Sequence, residues 1–317
     1  MATPFATPVV LLTFNRPAET AAAVAAIRAV RPSRLLIVAD GPRPGREDDI
    51  RSCAAARAAA QAVDWPCVVE TNQSPTNLGC RRRVASGLDW VFTQVTEAVI
   101  VEDDCLPDPS FFHFCTELLA RHRDDPAVMS ICGHRCDGPD EPDGPSYVFS
   151  RYPSSWGWAT WRRAWRLYDP NVARWPCLRA TDWLEAILGD PAAVAYWRRT
   201  FDHAAAGVDT WDHAWLFAHW LFQAVAIRPR VNLVRNIGFG PHATHTHDAS
   251  HPLAARPAAA MPFPLRHPRE QCRDEAFDRR LEWVLFSGMQ RRALAEAHRR
   301  IHEARGADDL PFPHQTA

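Results

Sequence analysis

The chain has 317 residues, of which 47% are hydrophobic and 23% are charged, a composition that excludes disordered and fibrous classes and suffices for one large or two small globular domains. The formal net charge of -1 gives no electrostatic case for binding nucleic acid. The sequence contains no lysine, which excludes Schiff bases, lysine general bases and the lysine of phosphate-binding P-loops.

The cysteines and the apolar runs bear on location. Nine cysteines occur without a C-x-x-C pair, as is typical of a reducing compartment. The start MATPFATPVVLL lacks a positively charged leader and is interpreted as a strand. No run reaches the roughly 18 apolar residues of a membrane span. We therefore expect a cytoplasmic protein, attached to the inner membrane face at most peripherally.

Short apolar runs alternate with helical patterns over the first 135 residues, which predicts βαβ units. Strands are expected at 8–14, 34–40, 67–72, 98–104 and 127–132. Helices are expected at 17–30, 46–63, 78–94 and 110–123. The predicted fold is α/β, with a Rossmann-like, mostly parallel sheet flanked by helices.

The composition changes after a loop at 137–144, because ten of the thirteen tryptophans lie between Trp156 and Trp220. Such density indicates either a core of large side chains or a platform on which rings stack. A helix is expected at 209–226, a strand at 227–233 and a long amphipathic helix at 274–305, which packs on the core or on a second subunit. We divide the chain into an α/β half at 1–136, a Trp-rich half of the same domain at 137–268, and a C-terminal helix and tail at 269–317.

The predicted strand at 98–104 ends in three consecutive acids, Glu102, Asp103 and Asp104. Alternation along a strand places Glu102 and Asp104 on one face and Asp103 on the other, unless the strand has already turned. Ligands bind at the carboxyl ends of strands in open α/β sheets, and hard cations take carboxylate ligands. The alternative is a solvated acidic turn.

Two further segments suit a nucleotide, although each also has a plain structural explanation. Asp40 precedes Gly41 at the end of the second strand, where it could bind a base or ribose or form an ordinary turn. Asn77 could cap a helix whose amides, with Arg81, attract a diphosphate, or it could be a cap alone. Neither G-x-G-x-x-G nor G-x-x-x-x-G-K follows the first strand, which disfavours dinucleotide enzymes and P-loop NTPases.

The segment from Asp209 to His213 also has two interpretations. Asp209 as N-cap with Asp212 at the third helical position would be a capping arrangement. Alternatively Asp212 is a general base, its pKa raised by neighbouring tryptophans. Further on, His242 and His245 belong to a histidine-rich stretch that could reach a metal or a phosphate, or could arise by chance among fourteen histidines.

The order of these motifs resembles that of nucleotide-sugar glycosyltransferases of the GT-A fold, family 2-like at the amino end and similar to N-acetylglucosaminyltransferase I at the carboxyl end. The resemblance covers residues 8–247. The motifs are Leu-Leu-Thr-Phe-Asn-Arg-Pro (11–17), Val-Ala-Asp-Gly (38–41), Asn-Leu-Gly (77–79), Val-Glu-Asp-Asp-Cys-Leu-Pro-Asp-Pro-Ser-Phe-Phe (101–112), Trp-Gly-Trp-Ala-Thr-Trp (156–161), Trp-Asp-His-Ala-Trp (211–215) and Arg-Pro-Arg-Val-Asn-Leu-Val-Arg-Asn-Ile-Gly-Phe-Gly (228–240).

The resemblance implies a metal-dependent, inverting transfer of a sugar from a nucleotide-diphosphate donor, expected to be UDP-linked, to a hydroxyl of a glycan, a lipid-linked molecule or a small molecule. Asp104 would hold Mn2+ or Mg2+, and Asp212 would be the base. The relatives often carry a second acid where this chain has His213, so the base stays open between Asp209, Asp212 and His213. The other implied contacts are with the donor (Thr13, Asn15, Arg16, Asp40, Asn77, Arg81, Glu102, Asp103), with the metal or diphosphate (His242, His245) and with the acceptor (Trp156, Trp158, Trp211).

Two other functions fit the same residues. A nucleotidyltransferase also joins a nucleotide, a metal and carboxylates on an α/β sheet, but it normally has a glycine- and lysine-rich loop after the first strand, and 14–17 is not such a loop. A non-catalytic protein that binds nucleotide sugars would keep the fold without turnover.

Overall fold

The computed structural model describes residues 5–136, 138–141, 143–239 and 256–284. The strands are β1 (Val9–Thr13), β2 (Arg34–Ala39), β3 (Val68–Gln73), β4 (Glu97–Glu102), β5 (Cys105–Pro107), β6 (Val128–Cys132), β7 (Tyr147–Ser150), β8 (Trp158–Trp161), β9 (Val225–Pro229) and β10 (Val234–Asn236). The helices are α1 (Pro17–Arg28), α2 (Glu47–Ala60), α3 (Cys80–Gln94), α4 (Pro109–Arg121), α5 (Arg162–Trp165), α6 (Trp175–Leu178), α7 (Trp183–Leu188), α8 (Pro191–Ala205), α9 (Asp212–Leu221) and α10 (Glu275–Glu282).

Eight of these strands form one sheet in the order β3-β2-β1-β4-β8-β6-β9-β7. The first four are parallel, β8 runs antiparallel to both β4 and β6, and β9 is parallel to β6 and antiparallel to β7. The predicted α/β, Rossmann-like sheet flanked by helices is therefore confirmed, with its parallel part confined mainly to the amino-terminal half. A separate antiparallel pair, β5 and β10, places Asn236 opposite Cys105.

The predicted elements of the first half are all present, with ends that differ by at most three residues. In the second half, the predicted helix at 209–226 is too long: α9 starts at Asp212 and ends at Leu221, and Gln223 then adopts a positive φ of 53°. The next strand consequently begins early, at Val225. Of the predicted helix at 274–305, α10 is the described beginning, capped by the Asp274 side chain, and positions from 285 onward lie outside the described residues.

Most of the tryptophans between 156 and 220 belong to the core. Eight of the ten are buried, and Trp158, Trp165, Trp211 and Trp215 pack together beneath α3. A second aromatic cluster joins α8 and α9 around Phe201. Among the described helices, none is long and apolar enough to cross a membrane.

A buried serine-histidine pair links the sheet to α9. The Nε2 of His219 lies 2.9 Å from Ser130 Oγ and its Nδ1 lies 2.9 Å from the Trp215 carbonyl oxygen, so Nδ1 carries the proton and Nε2 accepts from the hydroxyl. Burial lowers the pKa of His219 to about 4, although the Trp215 carbonyl opposes this shift. The folded protein therefore keeps this imidazole neutral at pH values at which the unfolded chain protonates it.

Replacing His219 by glutamine should reduce the acid sensitivity of the fold. Below the unfolded pKa of about 6.5 the unfolded chain binds a proton that the folded protein does not, so stability is lost as pH falls toward 4. Between pH 7.5 and 5 the free energy of unfolding should fall by about 2 kcal/mol more in the wild type than in the variant. Urea unfolding at both pH values measures the difference, and equal losses would contradict it.

Candidate functional site

The carboxyl ends of β1, β2 and β4 meet at one edge of the sheet, as parallel neighbours must. Arg16 follows β1, Asp40 follows β2, and Glu102 is the last residue of β4. Asp212, the first residue of α9, belongs to the other half of the chain and is near enough to this edge for its charge to help raise the pKa of Glu102. The structure thus brings together residues that the sequence separates by almost 200 positions.

Asp103 and Asp104 form a turn directly after β4, so the alternation of a strand does not extend to them. Both carboxylates pair with Arg16: its Nη2 donates to Asp103 Oδ1, and its Nη1 lies 3.0 Å from Asp104 Oδ2. Asp103 also accepts from Thr13 Oγ1 and from the Phe14 amide, both at 3.3 Å. The Asp103 carboxylate therefore has three partners within the protein, whereas the main partner of the Asp104 carboxylate is the Arg16 guanidinium.

The charges at this turn do not balance. Burial raises the pKa of Glu102 well above its ordinary range, and the neighbouring charges of Asp104 and Asp103 raise it further, against a smaller opposing effect of Arg16. The Glu102 carboxylate forms no hydrogen bond or ion pair with any residue that the structure describes, although its backbone belongs to the β4 ladder. Burial likewise raises the pKa of Asp103, with Arg16 opposing it. Three carboxyl groups beside one guanidinium would be neutralised either by bound protons, which the raised pKa values favour, or by an additional cation.

The chemistry of the turn suits a hard divalent cation, which one or two carboxylates hold while water and phosphate complete the shell. Asp104 and Glu102 are the available donors, and the described residues contain no group of three His, Cys, Asp or Glu that would form a closed protein cage. Gly238 packs against Asp104 so closely that a Cβ there would lie 2.1 Å from Oδ2. His242 and His245, the other predicted metal contacts, lie outside the described residues.

Asp40 is buried, and its carboxylate binds the backbone of the β3–α3 connection. It accepts from the amides of Gly41 at 2.8 Å and Leu78 at 3.0 Å, and from Asn77 Nδ2 at 2.9 Å. Burial raises its pKa although these amides lower it. The prediction that Asn77 caps the helix is wrong, because its side chain donates a hydrogen bond to Asp40 and the N-cap residue of α3 is Gly79.

The amino end of α3 already has an anion. The carboxylate of Asp209 accepts from the amides of Cys80 at 3.0 Å and Arg81 at 2.8 Å. The Arg81 guanidinium is turned away to Asn171 Oδ1 at 3.0 Å. The predicted diphosphate contacts at this helix therefore compete with a carboxylate of the same chain. Asn15, the remaining predicted donor contact, donates to Asp49 at the start of α2.

The capping interpretation of the segment before α9 is wrong. Trp211 occupies the N-cap position and Asp212 is the first helical residue, while Asp209 caps α3 instead. One oxygen of Asp212, Oδ1, accepts from the His213 amide at 3.0 Å and from Thr210 Oγ1. Its other oxygen has no hydrogen-bond partner among the described residues. Of the two carboxylates among the three candidates for a base, Asp212 is therefore the one with an oxygen left available, because both oxygens of Asp209 accept from amides of α3.

Asp212 and His213 line a cavity of about 180 Å³ with aromatic walls. Its other walls include Ser154, Tyr196, Trp197 and Trp211. This volume is below the roughly 300–1,000 Å³ of pockets for drug-sized ligands and suits one small ring. Sequence reasoning missed Tyr196 and Trp197, because their helical spacing on α8 carries no chemical signal beyond amphipathicity.

The three predicted acceptor tryptophans have different surroundings. Trp211 lines the cavity. Trp158 is fully buried and stacks on Trp211 with 5.2 Å between ring centroids, so its prediction as a sugar platform is wrong. Trp156 is half-buried, and its ring centroid lies 4.3 Å from that of His134 and 5.6 Å from that of Phe239. It is not among the residues that line the cavity.

Replacing Trp158 by alanine should destabilise the fold by about 3–5 kcal/mol, because the ring fills the core between β8 and α9. Phe222, 48% exposed, is the aromatic control, and its replacement by alanine should cost less than about 0.5 kcal/mol. Urea unfolding of both variants measures the costs. A loss at Trp158 no larger than that at Phe222 would show that its ring does not support the core.

No family model matches the sequence, and no curated protein sequence matches it. Among solved structures, the chain is similar to a UDP-glucose pyrophosphorylase complexed with UDP-glucose, with 9% identity and a TM-score of 0.31 over 51% of this chain and 79% of that one. HddC from Yersinia pseudotuberculosis complexed with GMP-PN is 7% identical, with a TM-score of 0.31 over 49% of this chain and 77% of that one. Mannose-1-phosphate geranyltransferase from Thermus thermophilus is 10% identical, with a TM-score of 0.31 over 66% of this chain and 67% of that one. Similarities this low carry no functional argument.

Proposed function

We propose that this chain is a glycosyltransferase that moves a sugar from a nucleotide-diphosphate donor to an acceptor hydroxyl with inversion, in the presence of Mn2+ or Mg2+. The observation that carries the proposal is the position of Asp212. This carboxylate has an unpartnered oxygen among the described residues, lines an aromatic cavity and interacts electrostatically with Glu102. Transfer to a hydroxyl is assisted by a base within hydrogen-bond reach of that hydroxyl, and a hydroxyl bound in the cavity would lie beside Asp212.

The donor would bind at the carboxyl edge of β1, β2 and β4. Asp104, with Glu102 beside it, would hold the metal, which when bound supplies positive charge to the departing diphosphate. Arg16 and Asp40 would contact the nucleobase, and Asp103 would act by holding Arg16. His242 and His245 remain predicted contacts of the diphosphate or the metal.

The acceptor would enter the cavity beside α9. Apolar ring faces of a sugar stack on aromatic side chains. Tyr196 is the half-buried aromatic residue of the wall, whereas Trp197 and Trp211 are buried. The sugar hydroxyls would meet polar wall atoms such as those of Ser154. Asp212 would take the proton of one hydroxyl as that oxygen attacks the sugar from the face opposite the diphosphate. We therefore propose that the part of the acceptor that enters the cavity is a neutral ring that carries hydroxyl groups.

A nucleotidyltransferase is the second candidate, because an acidic turn, Arg16 and Asp40 at a sheet edge serve nucleotide transfer equally well. It does not need Asp212 beside a ring-sized cavity. The products separate the candidates: sugar transfer or hydrolysis releases a nucleoside diphosphate, whereas attack of a nucleoside triphosphate by a sugar phosphate releases pyrophosphate.

The test uses the purified full chain with MnCl2 or EDTA. Thermal unfolding is followed with UDP-, GDP-, ADP-, CDP- and dTDP-sugars, since a ligand that binds only the folded state raises the melting temperature. The stabilising donor is then incubated, as is, in a parallel reaction, the matching nucleoside triphosphate with a sugar 1-phosphate, and the released phosphates are identified. Manganese-dependent stabilisation with release of nucleoside diphosphate supports the proposal. Pyrophosphate release from a nucleoside triphosphate would favour the second candidate, and stabilisation without turnover a non-catalytic binding protein.

A further inference from the structure

A contact between the start of α3 and the loop before α9 joins residues almost 130 positions apart. Asp209 Oδ2 accepts from the Cys80 amide at 3.0 Å, and Oδ1 accepts from the Arg81 amide at 2.8 Å. The first amides of a helix have no intrahelical partner, and the helix dipole favours a negative charge there. Each carboxylate oxygen of Asp209 therefore binds one backbone amide at the start of α3.

The α3 side of this contact is shaped to receive the carboxylate. Gly79 has a φ of 79°, and a Cβ at this position would lie 2.6 Å from Asp209 Oδ2. A side chain would therefore be strained by the backbone conformation and would also displace Asp209. Arg81 adds a second link, since its guanidinium donates to Asn171 Oδ1 at 3.0 Å and lies beside Gly207.

The loop that carries Asp209 leads directly into Asp212. Thr210 lies between them and its hydroxyl donates to Asp212 Oδ1, so a displacement of the loop also displaces this carboxylate. Cys80, whose amide binds Asp209, is itself close to the acids: after burial, the charges of Glu102 and Asp212 are the next causes that raise the pKa of its thiol. The contact between Asp209 and α3 thus lies near Glu102 and Asp212, the two carboxylates whose relative position the proposed transfer depends on.

We propose that Asp209 is a positioning residue, which pins the loop before α9 to the amino end of α3 and so keeps Asp212 facing the acidic turn. The inference rests on the proposed function for what Asp212 does. It assigns to Asp209 a role without proton transfer, because both oxygens are already held by backbone amides.

The test compares Asp209→Asn with Asp209→Ala. Asparagine keeps one oxygen that accepts from a helix amide, but its NH2 group cannot accept from the second amide, whereas alanine keeps neither bond. Asp190→Ala is the matched control, because Asp190 caps α8 through the Ala192 and Ala193 amides at 3.4 and 3.2 Å, away from the acidic turn. Hydrogen exchange over 206–215 and steady-state kinetics with the stabilising nucleotide sugar are measured for all three.

We expect Asp209→Ala to speed amide exchange over 206–215 and to lower kcat by about 10- to 100-fold, the cost of a misplaced catalytic group, with an unchanged KM for the donor. Asp209→Asn, which keeps one of the two bonds, should lie between the wild type and Asp209→Ala in both exchange and kcat, and Asp190→Ala should match the wild type in both. A loss of kcat in Asp209→Asn as large as in Asp209→Ala, with exchange slower than in Asp209→Ala, would overturn the inference, because the charge itself would then be needed. Unchanged exchange in Asp209→Ala would also overturn it. Absence of turnover in the wild type would refute only the proposed function, since exchange still reports on the contact.

Discussion

Replacing Asp212 by asparagine should leave donor binding intact and lower the rate of sugar transfer by about 10²–10⁴-fold, the usual contribution of a general base. Asparagine keeps the oxygen that accepts from Thr210 and from the His213 amide, so the start of α9 should not move. It cannot take a proton from the acceptor hydroxyl. Calorimetric titration with UDP and MnCl2 measures binding, and release of nucleoside diphosphate in the presence of acceptor measures turnover.

His213→Gln is the discriminating control, because His213 also lines the cavity and is a candidate base. Glutamine has a comparable reach and no titratable group near neutral pH, so this variant should keep most of its turnover. Full activity of Asp212→Asn together with an inactive His213→Gln would transfer the role of base to the histidine.

Replacing Asp104 by asparagine should abolish the metal-dependent part of nucleotide binding, weakening the affinity for UDP in MnCl2 by at least about 100-fold. The amide keeps the shape of the carboxylate beside Arg16, but it removes the negative charge that a hard cation requires. Calorimetric titration with UDP in MnCl2 and again in EDTA isolates this part, since the wild type and the variant should bind alike without metal.

Asp108→Asn is the matched control for this experiment. Asp108 lies four positions along the same segment and caps α4 through the Ser110 amide at 2.9 Å, with no contact to Arg16. It should bind UDP as the wild type does. An Asp104→Asn variant with unchanged affinity in MnCl2 would mean that the guanidinium, and not a metal, is the resident cation of the turn.

The sequence by itself determined the elements of the first half and the edge at which the site lies. Apolar periodicity is local, so 8–14, 34–40 and 98–104 could be recognised as strands within one to three residues of their observed ends. Parallel strands in βαβ units end at the same edge, so the convergence of Arg16 and Asp40 with the acids follows from topology alone.

Only the tertiary structure decided how each charged group is used. Asp209 looked like the cap of its own helix, but it caps α3. Arg16, the predicted nucleobase contact, pairs with two carboxylates of the acidic turn, which no local pattern indicates. Trp158 and Trp211 are alike in sequence, yet only Trp211 reaches the cavity. Periodicity describes neighbours within a few positions, whereas these contacts join residues about 50 to 130 positions apart, so their partners emerge only when the halves of the chain pack together.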